Sequence, residues 1–443
     1  MFENIIDQGA VLQLRDDILL GRNAPSMLFY GPGESGKGSA SLELARVLSC
    51  EEPQLQKRGG WKCVCVSCEQ HRFLRHDDLL ALGNRAFAAE ITACSKTFLR
   101  NTENQNCKIL FYRSIRKLML RFSQVLMEDD PKLGKSAHLL QSLDEGLNDF
   151  LSNSESMEKT ALEKTCSSLI KTALTLESEG IGSAVPIAQI RRASYWCRLA
   201  PNGRRKTLII ENAENMRDEA RNSLLKLLEE PPSSVCIVLT AKRREAVMPT
   251  ILSRLRPYRF LKRSAQSEKD VIRRVFQDEG SNLNEYLDSF LPQSTEKLHP
   301  LAAWFIVSLA RLGIISAKKK GIEQIPEILN ELGSRYALDA EKCGYERSLK
   351  TAAIVKTVVS GSNNFEESSF SRFMKICLDM IGEVTKNAKD HQFAVYNDIF
   401  RKYFNEAVTA VDVLNINSTI ALEALVYKLK TALGGELRRG FNG

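Results

Sequence analysis

The apolar positions of this chain fall into two different rhythms. Ser26-Met27-Leu28-Phe29-Tyr30 is a short apolar run bounded by Pro25 and Gly31, which predicts a buried strand. Ser39 to Leu48 then places apolar residues at helical spacing. The same alternation returns over 186–262. Lys206-Thr207-Leu208-Ile209-Ile210 and Val235-Cys236-Ile237-Val238-Leu239-Thr240 predict strands. Between them Glu214 to Glu230 predicts a helix with Ala220, Leu224, Leu227 and Leu228 on its apolar side, stopped by Pro231-Pro232. Strands alternating with helices imply a mostly parallel α/β sheet. Two stretches lack the strand rhythm. Residues 71–185 read as mostly helical and polar, and 263–443 as almost wholly helical. The segment of about 85–185 therefore interrupts the α/β pattern as a helical insertion. Within it, Phe111 to Phe122 predicts an amphipathic helix with a basic face, read as a solvated face, with nucleic-acid binding as the alternative.

Length and composition add limits. A chain of 443 residues has room for two to four domains, and an apolar fraction of 43% suits ordinary buried cores. The net charge of +8 is spread along the chain, so it permits nucleic-acid contact without arguing for it. No stretch of 18 or more apolar residues occurs, so no membrane span is expected. Met1 to Gln8 lacks a basic and an apolar region, so no signal peptide is expected. The 11 cysteines, an odd number, do not read as a disulfide framework, which points to a reducing cytoplasm.

The candidate chemistry begins at Gly31-Pro32-Gly33-Glu34-Ser35-Gly36-Lys37, between a predicted strand and a predicted helix. That is the setting of a phosphate loop: glycines free the backbone N–H groups to face an anion, the helix N-terminus adds partial positive charge, and Lys37 meets the phosphates. The next position should carry a Ser or Thr hydroxyl for Mg²⁺, and here it is Gly38. Ser39 comes one residue late, which rotates its side chain by about 100° around a helix. After Leu208-Ile209-Ile210 comes Glu211, a carboxylate one methylene longer than Asp, and then Asn212, a neutral amide that cannot act as a general base. These departures argue against Mg²⁺ and against hydrolysis, and leave nucleotide binding by the chain itself open. An active ATPase in which Ser39 and Glu211 hold Mg²⁺ is the alternative.

Cys50, Cys63, Cys65 and Cys68 fall within nineteen residues. Four thiolates can close a tetrahedral, structural Zn²⁺ site. Cys63 and Cys65 are separated by one residue, a tighter gap than usual, and free thiols are the alternative reading. The remaining cysteines are scattered and read as small core residues.

Taken together, these motifs resemble the clamp-loader subunits of bacterial DNA polymerase III, above all the delta-prime type. The resemblance starts at Phe2-Glu3-Asn4-Ile5-Ile6-Asp7-Gln8 and runs through Leu28 to Gly33 and the cysteine cluster. It is most specific in Asn222-Ser223-Leu224-Leu225-Lys226-Leu227-Leu228-Glu229-Glu230-Pro231-Pro232, then Val235 to Thr240, then Pro249-Thr250-Ile251-Leu252-Ser253-Arg254. It covers 1–80 and about 186–262, is weak over 263–443, and is lost over about 85–185.

The resemblance implies an AAA+ core over 1–262, a parallel sheet flanked by helices that carries a zinc module at 50–70 and the helical insertion. An all-α lid at 263–315 and an all-α collar at 316–443 would follow. It implies that Gly31, Gly33, Gly36, Lys37, Gly38, Ser39, Glu211, Asn212 and Thr240 form a degenerate nucleotide site. It further implies that Arg254 acts in trans, as an arginine finger on a neighbour's ATP, with Leu255 where the family has cysteine. The partners implied are other clamp-loader subunits in a hetero-oligomeric ring, the sliding clamp, and primed DNA reached through the complex. A plain interaction scaffold with a relic site is the remaining alternative.

Overall fold

A computed structural model describes residues 1–128, 133–182, 184–290, 295–319, 327–344, 350–361, 369–386, 391–412 and 416–435. The chain divides into two compact units, Met1–Leu291 and Pro292–Gly443.

The first unit is built on five parallel strands: β1 (Ser26–Tyr30), β2 (Leu79–Gly83), β3 (Lys206–Glu211), β4 (Val235–Ala241) and β5 (Arg256–Arg259). Their order across the sheet is β2-β3-β4-β1-β5. Alternate side chains of each strand face opposite sides of the sheet. On one side Leu28, Leu208, Ile210, Ile237 and Leu239 pack beneath helices α9 (Ile187–Arg198) and α10 (Asp218–Glu229). On the other, Met27, Phe29, Cys236 and Val238 pack beneath α1 (Gly9–Leu19) and α2 (Lys37–Ser49). Every residue of β3 and β4 is buried, as expected of central strands covered on both faces. This is the α/β core that the sequence rhythm predicts.

Two of the five strands, β2 and the short edge strand β5, were not singled out from the sequence. Leu79-Leu80-Ala81-Leu82 lies in the segment read as helical, yet it forms β2 and pairs with β3 from Leu79↔Thr207 to Gly83↔Glu211. The run has no β-branched residue, so its local preference is helical, and only pairing with β3 makes it a strand.

The segment read as an insertion is helical: α4 (Ala88–Arg100), α5 (Gln105–Met119), α6 (Gln124–Met127), α7 (Leu133–Asn153) and α8 (Lys159–Gly180). It has its own aromatic core. Phe150 meets Phe98 and Phe111 edge-on, with ring centroids 5.0 and 5.4 Å apart. Val271, Ile272, Phe276, Leu283 and Leu287 join that core. They come from the stretch of α12 (Ala265–Val271), the short π-helix that continues it, and α13 (Leu283–Asp288). The first part of the segment expected to be a lid thus packs with the insertion.

The second unit is all-helical: α14 (Thr295–Lys319), α15 (Glu327–Arg335), α16 (Ala337–Glu341), α17 (Thr351–Gly361), α18 (Ser369–Lys386), α19 (His391–Asp412) and α20 (Ser418–Gly435). Unbroken α14 runs across residue 315, where the sequence reading divides lid from collar. Its Leu298–Ile315 stretch is long and apolar enough to cross a membrane, but 72% of it is buried within the protein. Phe305 of α14, packed against Phe373 and Phe404, lies at the centre of this unit's core.

Candidate functional site

The phosphate loop joins β1 to α2 at the C-terminal edge of the sheet, where parallel α/β folds bind ligands. The Gly31 N–H donates to Ala241 O at 3.1 Å and so ties the loop to β4. Gly33 is exposed. Gly36 caps α2 in the left-handed region at φ 92°, and a Cβ there would lie 2.9 Å from the Arg263 guanidinium. Arg263 donates to the carbonyls of Ile6, Glu34 and Ser35, holding the loop from outside.

Lys37 turns back onto this loop. Its ammonium donates to Gly31 O at 2.7 Å, to Pro32 O, and to Ser35 Oγ at 3.3 Å. Burial pulls it down to about 8. The charge that should meet a phosphate is hydrogen-bonded to its own loop.

Gly38 and Glu211 meet. A Cβ on residue 38 would lie 2.8 Å from Glu211 Oε1, so no side chain fits there unless Glu211 moves. Ser39, one residue on, is exposed. Asn212 sits just past β3 in the left-handed conformation, φ 52°, and its N–H donates to Thr240 Oγ1 at 3.2 Å. Thr240 is buried near the end of β4. The structure therefore gathers the predicted residues at one edge, with the strand carrying Glu211 separated from β1 only by β4.

Glu211 is engaged by two guanidinium groups. Its side chain and that of Arg121 are 7% and 6% exposed, and the two form an ion pair. Arg85 approaches the other carboxylate oxygen at 3.8 Å. Burial alone would raise the Glu211 carboxyl; Arg121 and then Arg85 outweigh it and hold it below the usual carboxylate range. Behind them Glu90 binds both Arg85 and Lys117. Burial opposes its charge too, but Lys117 and Arg85 bring it down to about 2.

Sequence reasoning missed these partners, and the structure corrects the reading of the basic face. Arg116, Lys117 and Arg121 do not line a solvated or nucleic-acid-binding surface. Lys117 and Arg121 turn inward to Glu90 and Glu211, and Arg116 pairs with Asp144 of α7. The basic run was the available signal; its acidic partners lie far away in sequence.

Arg254 follows the single-turn helix α11 (Pro249–Leu252) and is partly exposed. Its guanidinium donates to Glu229 Oε1 at 2.6 Å and to Ser253 Oγ at 3.1 Å. Glu229 is itself about half exposed, so this pair stands in solvent reach. Leu255, next in the chain, is buried in the core beneath α10.

The cysteine cluster closes as a set. The sulfurs of Cys50, Cys63, Cys65 and Cys68 all lie within 4.8 Å of one another. Cys50 Sγ is 3.7 Å from Cys63 Sγ and 4.0 Å from Cys65 Sγ. Four thiolates about 2.3 Å from a tetrahedral Zn²⁺ would stand about 3.8 Å apart, so the donor set fits that ion. The tight Cys63–Cys65 gap is accommodated because Cys65 is the N-cap of α3 (Val66–Arg72), which carries Cys68 one turn on. Burial opposes charge on Cys65, but the N–H groups of Glu51 and Cys68 lower its thiol overall. Arg46 of α2 is buried beside the cluster. It pairs with Glu43, donates to Gly59 O and Gly60 O at 2.7 and 3.1 Å, and brings Nη1 to 3.6 Å from Cys68 Sγ.

Comparison with known proteins places this geometry. The family model described as "DNA polymerase III, delta subunit" matches residues 151–264. That span starts inside the segment read as an insertion, takes in α8, and runs through β3, β4 and Arg254. The chain is 35% identical over 80 residues to DNA polymerase III subunit delta′ of Pseudomonas aeruginosa, covering 18% of this chain and 24% of that protein. It is 38% identical over 58 residues to an uncharacterised protein of Mycoplasma pneumoniae, covering 13% of this chain and 23% of that protein. The chain thus spans about a quarter of the length of these curated relatives. Among solved structures, a DNA polymerase III gamma subunit-related protein from Thermotoga maritima aligns with 57% of this chain and 81% of its own, at 19% identity and a TM-score of 0.30. Over these partial spans the chain is similar to DNA polymerase III clamp-loader subunits, and the matched residues take in strands β3 and β4 of the parallel sheet.

Proposed function

We propose that this chain is a clamp-loader subunit that does not turn over ATP and lends Arg254 to the nucleotide held by a neighbouring subunit. The observation that carries the first half is Gly38: a Cβ there would lie 2.8 Å from Glu211 Oε1, so the position that should supply a Mg²⁺-binding hydroxyl has no room for a side chain unless Glu211 moves. Gly38 offers no hydroxyl and Asn212 no base, in keeping with the same reading. Ser39, exposed and without a contact to Glu211 among the described residues, gives nothing to the alternative in which it holds Mg²⁺. The second half is supported by Arg254. Its only carboxylate partner among the described residues, Glu229, is solvent-exposed, so the guanidinium can leave it for a phosphate without abandoning a buried charge.

In this reading the protein works in the cytoplasm as a stator within a hetero-oligomeric ring. The all-helical second unit serves as the collar that joins subunits, the helices at 265–288 belong to the lid, and Zn²⁺ holds the Cys50–Cys68 module together. The assembled machine loads a sliding clamp onto primed DNA.

The test is DNA-stimulated ATP hydrolysis by the chain alone, then by the chain mixed with the ATPase subunit of its own organism, each with and without Arg254→Ala. The isolated chain is expected to be silent, and the mixture to lose roughly 10³-fold in rate when Arg254 is changed. ATP turnover by the isolated chain that Lys37→Ala abolishes would overturn the reading.

A further inference from the structure

In hydrolysing phosphate-loop sites the divalent cation is held between two protein groups: the hydroxyl after the loop lysine and a carboxylate at the end of a neighbouring strand. In this chain those positions are residue 38 and Glu211. A cation is already there. Arg85 Nη1 lies 3.8 Å from Glu211 Oε1 and only 3.1 Å from where a Cβ on residue 38 would stand. Arg121 binds the second carboxylate oxygen.

Both guanidinium groups lie over the ring of Phe87, at 5.3 and 5.4 Å from its centroid. The Phe87 ring thus adds a cation–π contact to each of the two charges that converge on the Glu211 carboxylate. The small pocket behind them is lined by Arg85, Phe87, Lys117, Arg121 and Glu211. Three cations, Arg85, Lys117 and Arg121, there meet two anions, Glu90 and Glu211. The Nε and Nη1 groups of buried Arg121 find no acceptor among the described residues. A second, divalent cation would enter a place that already carries excess positive charge.

We propose that Arg85 and Arg121 are the built-in cation of this nucleotide site. The segment after β2, including the end of α5 and the turn at 120–122, delivers fixed guanidinium groups to the place beside Glu211 where a metal ion would otherwise sit. This deepens the non-hydrolysing reading above and rests on it: Glu211 is neutralised from within the chain, divalent cations are excluded, and any nucleotide the loop admits is taken without its metal.

The experiment is Mn²⁺ binding by the zinc-loaded full chain, followed through the loss of the free-ion EPR signal. Wild type is expected to show no Mn²⁺ site that depends on Glu211. The double variant Arg85→Gln/Arg121→Gln is expected to gain one, and adding Glu211→Gln to it should remove that site again. A folded double variant that takes up no more Mn²⁺ than wild type overturns the proposal, as does a wild-type Mn²⁺ site lost in Glu211→Gln.

Should the double variant not fold, wild type alone still decides. A fluorescent ATP analogue is titrated with Mg²⁺ and then with EDTA. Mg²⁺ is expected to leave binding unchanged, and tightening by about tenfold or more would overturn the assignment. The two readings fail separately. ATP turnover by wild type removes the non-hydrolysing reading itself, whereas Mn²⁺ results contrary to expectation in a chain that remains silent towards ATP remove only the cation assignment.

Discussion

Arg121 and Arg254 make the same chemical contact, a guanidinium on a glutamate, and the difference between them separates the two halves of the proposed function. Arg121 and Glu211 are almost fully buried, whereas Arg254 and Glu229 are 31% and 47% exposed. A buried charge cannot give up its partner without stranding the other in a low-dielectric interior. An exposed one exchanges its partner for water at little cost. One pair is therefore held closed by its burial, and the other can open at little cost.

The sharpest way to break this comparison is to remove each arginine in turn. Arg121→Ala leaves the buried Glu211 with Arg85 alone, at 3.8 Å, and is expected to lower stability by up to about 3 kcal/mol in denaturant unfolding of the full chain. A loss below about 1 kcal/mol would mean that the Glu211 pocket is open to water, and the contrast would fail.

Acid titration probes the same cluster through Glu90. Its folded-state value of about 2 lies below the ordinary 4.5, so its contribution is fully present above pH 4.5. That contribution is lost as the pH falls from 4.5 through about 2. The amount is up to about 3 kcal/mol. Glu90→Gln is expected to flatten that arm of the stability–pH curve, and an unchanged curve would place the acid-sensitive charge elsewhere.

Arg46 offers a third guanidinium, as buried as Arg121 but facing a sulfur as well as a carboxylate. If it steadies a thiolate, Arg46→Met should weaken Zn²⁺ retention by roughly tenfold against a competing chelator. Equal retention would reduce it to a packing residue of α2. The smallest effect is expected at the exposed site. Arg254→Ala should change stability by no more than about 1 kcal/mol, even while the rate of the mixed assembly falls. A large stability loss would turn Arg254 into a structural residue and take the finger reading with it.

The sequence by itself determined what depends on local pattern. Apolar runs of five to six residues between turn signals gave strands β1, β3 and β4. Gly31, Gly36 and Lys37 between a strand and a helix marked the phosphate loop, and the loss of a hydroxyl at 38 and of a carboxylate at 212 was readable residue by residue. So was the four-cysteine set, because its ligands lie close together along the chain. The tertiary structure decided what depends on partners distant in sequence. Leu79 to Leu82 became a strand only by pairing with β3. Lys117 of α5 and Arg121 of the turn after it face inward because their counter-charges, Glu90 and Glu211, come from elsewhere in the fold. Periodicity reports that a face is polar, but not whether water or a carboxylate will lie against it. A charge is placed by the balance between desolvation and a partner within a few ångströms, and that partner can lie ninety residues away, as Glu211 does from Arg121.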